Sequence, residues 1–124
     1  MLKDRFYTIV DLHIEPAKAH FTIRLNADHD IYQGHFPGQP VVPGACLLQM
    51  AKEITQLITG ASLQIQSAKE IKFLLPLDPV KDNMLLGKMD YQAGQDNNIF
   101  INMSFAQAGA ICFTCKAVMI KKGD

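Results

Sequence analysis

Between Asn26 and Gly44 the chain is punctuated by Gly34, Pro37, Gly38, Pro40, Pro43 and Gly44. Proline removes a backbone donor and fixes φ, so no long helix or central strand can run through this stretch, and an irregular, shaped loop is expected. The residues that follow behave in the opposite way. From Ala45 to Thr59 there is no glycine or proline, Leu47, Leu48, Ala51, Ile54, Leu57 and Ile58 recur at helical spacing, and Gly60 supplies a C-terminal stop. The pattern predicts one long helix, starting at about Pro43. Because it is apolar around much of its circumference, it is expected to be buried.

The remaining segments read as strands. Apolar and polar residues alternate over Phe6–Ile14 and His20–Leu25, and strand patterning returns over Lys69–Leu75, Met84–Tyr91, Asn98–Gln107 and Ala110–Lys121. Six strands and one buried helix predict an α+β fold in which a curved antiparallel sheet wraps the helix, as a single domain over residues 1–124.

Twelve Lys+Arg balance twelve Asp+Glu, and no basic block is present, which argues against nucleic acid as the main partner. Apolar runs such as Phe73-Leu74-Leu75 are far too short to cross a bilayer. Asp4 and Asp11 fall where a secretory leader would be apolar, so a cytoplasmic location is expected. Three cysteines are an odd count with no framework spacing, consistent with reduced thiols. Cys112 and Cys115 have redox-motif spacing but lie in a strand pattern that turns residues three apart to opposite faces, so they are read as structural. Burial is likewise the simplest reading of Cys46. His13, His20 and His29 lack any special setting, and Lys121 and Lys122 read as a solvated tail that would add positive charge for an acidic partner.

The stretch Gly34-His35-Phe36-Pro37-Gly38-Gln39-Pro40-Val41-Val42-Pro43-Gly44, followed at once by the helix, closely resembles the signature of the hot-dog-fold 3-hydroxyacyl-carrier-protein dehydratases. Lys72-Phe73-Leu74-Leu75-Pro76-Leu77-Asp78-Pro79 is similar to that family's Phe-x-x-Pro strand end, and Ala110-Ile111-Cys112-Phe113 to its final strand. The resemblance implies a hot-dog fold, a homodimer with sheets joined edge to edge, and dehydration or hydration of 3-hydroxyacyl thioesters borne by acyl carrier protein, without metal or redox cofactor. It makes His35 the catalytic base and the Gly44 N–H the donor to the thioester carbonyl. Gln49 is read as the third catalytic residue, and Phe36, Pro43 and Glu53 as substrate-binding residues. Glu53, four residues after Gln49 on the same helical face, is placed to substitute for a missing acid through a water.

One position departs from the family pattern. Fourteen residues after the histidine, where the family carries an acid on the helix, this chain has Gln49. A carboxamide can hydrogen-bond a hydroxyl but cannot give and recover a proton. Two alternatives therefore stand beside the dehydratase. One is a thioesterase of the same fold, and the other is a catalytically weak carrier-binding subunit that pairs with an active homologue.

Overall fold

The computed structural model describes residues 1–34 and 40–122. Strands β1 (Tyr7–Glu15) and β2 (Lys18–Leu25) are followed by a single helical turn, α1 (Ile31–Gly34), and by the long helix α2 (Gly44–Thr59). Strands β3 (Leu63–Phe73), β4 (Met84–Ala93), β5 (Asn98–Gln107) and β6 (Ala110–Lys121) complete the chain. All pairings are antiparallel, in the order β1-β2-β4-β5-β6-β3, giving the expected α+β sheet with one long helix against it. No helix among the described residues is long and apolar enough to cross a membrane.

Two differences from the sequence reading have physical causes. The loop expected over Asn26–Gly44 contains the turn α1, in which His29 Nδ1 accepts from the Ile31 N–H at 3.1 Å and Tyr32 stacks on Phe6 with ring centroids 5.5 Å apart. Strand β3 begins at Leu63, six residues before Lys69, because the long β6 offers a ladder from Leu63↔Lys121 onward. Every residue of β3 after Leu63 is at least partly exposed, so the stretch lacks the one-faced alternation that marks a half-buried strand.

One transverse row fixes the register. Phe21 on β2 pairs with Gly87 on β4, Gly87 with Phe105 on β5, Phe105 with Phe113 on β6, and Phe113 with Phe73 on β3. The rings follow one another at centroid separations of 6.2 Å (Phe21–Phe105), 5.2 Å (Phe105–Phe113) and 5.6 Å (Phe73–Phe113). Gly87 makes the row possible, since a Cβ there would fall within the ring of Phe21. Helix α2 lays Leu47, Met50, Ala51, Ile54 and Ile58 into the same core. Its C-terminus closes through Gly60 at φ 72°, whose N–H donates to Gln56 O, while Gln56 Oε1 accepts from the Leu63 N–H at 2.9 Å and sets the entry into β3.

Because Phe21 is 2 % exposed and cannot swing outward, Gly87→Ala is expected to destabilise the protein by about 1–3 kcal/mol or more through overpacking. Urea unfolding of the two proteins measures this, and an unchanged midpoint would show that the row can yield.

Candidate active site

Among the described residues, no acceptor takes the first two amides of α2. Pro43 occupies the N-cap in extended conformation, φ −62° and ψ 144°, and contributes no side-chain cap. Its carbonyl accepts from the Cys46 and Leu47 N–H groups at 3.0 and 3.2 Å, which leaves the Gly44 and Ala45 N–H groups at the positive end of the helix dipole. Just before it, the Val42 N–H donates to Leu77 O at 2.9 Å, tying the helix entry to the fully buried Leu77.

The aromatic row ends at this same point. A Cβ on Gly44 would lie 2.9 Å from Phe73 Cζ and 3.1 Å from Cε1, so only glycine lets the ring approach the helix start this closely. Phe73, Leu74 and Leu75 are all half exposed, forming an apolar wall beside the open amides. His35 and Phe36 lie outside the described residues. Pro43, Gly44, Gln49 and Glu53 lie on α2 or its cap, so a single helix carries all four.

One and a further turn into the helix, Gln49 and Glu53 meet: the Gln49 Nε2 donates to Glu53 Oε2 at 2.7 Å. Glu53 is 2 % exposed, an unusual place for a carboxylate, and its oxygens are surrounded by donors. The Leu2 N–H donates to Oε2 at 2.9 Å and to Oε1 at 3.2 Å, the Lys3 N–H to Oε1 at 2.8 Å, and the Tyr7 hydroxyl to Oε1 at 3.1 Å. Burial alone would raise the Glu53 pKa. The hydrogen bonds from Leu2, Gln49, Lys3 and Tyr7 outweigh it and hold the carboxyl below the usual glutamate range. Burial, with the Glu53 charge beside it, correspondingly pushes the Tyr7 hydroxyl far up, so it stays a donor.

Sequence reasoning did not find this connection. The partners are up to 51 residues apart and two are main-chain N–H groups, which carry no residue-type signal. A buried glutamate in an otherwise apolar helix face is the trace it leaves in the sequence. Among the other residues singled out, Cys46, Cys112 and Cys115 are free and buried, and burial pushes the Cys46 and Cys115 thiols up. His13 stacks on His20 at 4.6 Å and contacts Asp11, and His29 packs edge-on against Phe6 at 5.3 Å. Among the described residues no group of three or more His, Cys, Asp or Glu is arranged to hold a metal.

The curved antiparallel sheet around α2 is the hot-dog fold, and solved structures of that fold superpose on it. The dehydratase heterocomplex ApeI:P from Xenorhabdus doucetiae aligns with a TM-score of 0.72 at 21% identity, covering 91% of this chain and 96% of that one. A phenylacetic acid degradation-related protein of Ralstonia eutropha aligns with a TM-score of 0.64 at 18% identity, covering 91% and 83%. The family model ApeI-like, described as ApeI dehydratase, matches residues 12–112, and the chain belongs to this family. Its curated relatives include the 3-hydroxyacyl-acyl-carrier-protein dehydratase FabZ of Rhizorhabdus wittichii, 26% identical over 73 residues, covering 59% of this chain and 43% of that protein. The FabZ of Geotalea uraniireducens is 25% identical over 85 residues, covering 65% and 59%. The chain spans about half the length of these relatives.

Since the folded Glu53 pKa is depressed, the carboxylate contributes stability above the pKa of the unfolded chain, and this is lost as pH falls through the folded value. Glu53→Ala is expected to cost about 3 kcal/mol at neutral pH, because buried donors lose their acceptor. The deficit should shrink as the wild type is acidified below the ordinary glutamate range. Urea unfolding of both proteins at neutral and acid pH measures it, and a deficit independent of pH would exclude an ionised Glu53 as the anchor.

Proposed function

We propose that the protein is a dehydratase or hydratase of 3-hydroxyacyl thioesters carried on acyl carrier protein. The observation that carries this reading is the uncapped start of α2 at Gly44, placed directly after the His35 loop in a chain of the ApeI-like dehydratase family. A thioester carbonyl accepting from the Gly44 N–H would gain most as charge develops on its oxygen, in the enolate-like transition state. His35, as neutral imidazole, then removes the proton from the carbon alpha to that carbonyl. The electron pair forms the double bond to the beta carbon, the carbon–oxygen bond there breaks, and the hydroxyl leaves as water with one added proton. Hydration is the reverse. The phosphopantetheine arm is part of the substrate, and Pro43 and the Phe73 wall are suited to the acyl chain and thioester beside the amides, with Phe36 assigned to substrate binding from the sequence alone.

Gln49 supports a second reading for the source of that proton. Either the imidazolium of His35 returns it, or an acid comes from another subunit. One solved neighbour is a dehydratase heterocomplex, which favours a partner chain as the source. In either case the sheet edge at β3, with Phe73 exposed at its end and Leu74 and Leu75 beyond, is the surface on which a second hot-dog subunit would pair, completing the site across the interface.

The protein, alone and with a homologous hot-dog subunit, should be incubated with 3-hydroxyacyl and trans-2-enoyl thioesters on acyl carrier protein and on coenzyme A. Hydration, dehydration and thiol release are followed separately. Reversible hydration is expected, and His35→Ala should lower kcat by at least about 10²-fold with folding intact. Thiol release as the main product would replace this reading with a thioesterase, and full activity in His35→Ala would end it. Light scattering is expected to give the mass of two chains; a monomer would remove the shared site.

A further inference from the structure

The segment that enters α2 is tied to the sheet side of the molecule at one point. Among the described residues, the main chain of 40–43 hydrogen-bonds outside the helix only where the Val42 N–H meets Leu77 O at 2.9 Å. Leu77 itself belongs to no strand and lies between Pro76 and Pro79, which have no N–H to give a ladder. Polar side chains hold this stretch instead. The Asp78 carboxylate accepts from the Val80 and Lys81 N–H groups at 2.9 and 3.1 Å, and the Asp82 carboxylate from the Met84 N–H at 3.0 Å, so both bind the stretch to its own neighbours. At its far end the Leu25 N–H donates to Asn83 O at 2.7 Å. Gln107 reaches in from elsewhere in the chain. Its Nε2 donates to Asp78 O at 2.9 Å and to Asp82 O at 2.6 Å, which spends both hydrogens of the carboxamide on carbonyls of the stretch. Gln107 is itself held at the end of β5, paired with Ala110 across a tight turn in which Ala108 and Gly109 have φ 49° and 83°.

We propose that Gln107 is a positioning residue for the Gly44 amide: by gripping Asp78 and Asp82 it fixes Leu77 O, and Leu77 O fixes Val42 and the helix start that follows it. This rests on the thioester reading and adds to it a residue from the β5–β6 hairpin. An oxyanion donor acts at about 2.7–3.1 Å from the oxygen that gains charge, and a misplacement of about 1 Å costs about 10²-fold in rate. The ring of Phe73 limits the approach of Gly44 to the sheet, and the Gln107 grip sets the chain that leads into it. The residue type follows from the task. A carboxylate of the same length would turn lone pairs towards both carbonyls, whereas an ammonium group would again supply donors.

Hydration of trans-2-octenoyl-pantetheine by the wild type, Gln107→Glu and Gln107→Lys tests the proposal. Gln107→Glu is expected to lower kcat by about tenfold with KM changed by less than about twofold, because the donor is needed as charge develops. Gln107→Lys is expected to recover most of that loss. Without substrate, hydrogen exchange at the Val42 amide should be at least about tenfold faster in Gln107→Glu. An unchanged kcat or unchanged Val42 exchange in a folded Gln107→Glu protein overturns the proposal, and so does an equal loss in both variants. Should Gln107→Glu fail to fold, exchange in the wild type under rising urea decides. The Val42 amide and the Asp82 amide, which donates to Asp78 O at 3.3 Å, are expected to open as one unit, and a Val42 amide that opens before Asp82 overturns the hold. If the wild type leaves the probe unchanged while Val42 exchange responds to Gln107→Glu, the thioester reading has failed and the Gln107 grip has not.

Discussion

The contact between Gly87 and the ring of Phe21 sets the geometry on which the rest depends. Without a side chain at 87, Phe21 can lie flat across β4 and reach Phe105, and the row of rings then continues through Phe113 to Phe73. A one-residue slip of any strand would turn its members of this row to the outer face, so the row is also a register lock. Its last ring abuts Gly44. The position of the helix start relative to the sheet is therefore fixed by the same packing that fills the core, and the open amides inherit that precision.

Polar order along α2 is supplied from a different direction. The N-terminal turn folds back so that Phe6 and Tyr7 are buried, and it spends the Leu2 and Lys3 N–H groups and the Tyr7 hydroxyl on Glu53. A buried carboxylate without partners would cost several kcal/mol, so the turn and the glutamate require one another. Gln49, like Leu2 and Lys3, is only partly buried. Core packing thus places the main-chain donor at one end of the helix, and a buried charge orients the side chain further along it.

Much of the architecture was legible in the sequence because it is written in periodicity and punctuation. Helix α2 ends at Thr59 as the Gly60 stop implies, and β5 and β6 have the expected limits. The first half of β3 was not legible, since an edge strand exposed on both faces has no apolar alternation to read. At the site, Gly44 and Gln49 are singled out through the resemblance of the loop and helix to the dehydratase signature. The anchoring of Glu53 could not be read in this way, because main-chain donors brought from Leu2 and Lys3 leave no mark in residue type. Phe73 stood within a recognised strand end, yet its contact with Gly44 is a product of sheet register rather than of local sequence.

The Glu53 cluster also bears on where the proton of the proposed reaction resides. A carboxyl that accepts from four groups and titrates below the ordinary range is ionised at neutral pH, so it has no proton to lend through Gln49 or through a bridging water. Raising its pKa into the useful range would require removing donors that hold the N-terminal turn in place. The fold therefore commits Glu53 to support, and proton transfer in the proposed site falls to His35 or to a residue of a second subunit. Gln49 is consistent with that division. Beside an ionised Glu53, an acid at 49 would meet like charge at hydrogen-bonding distance, whereas the amide turns the same proximity into a bond.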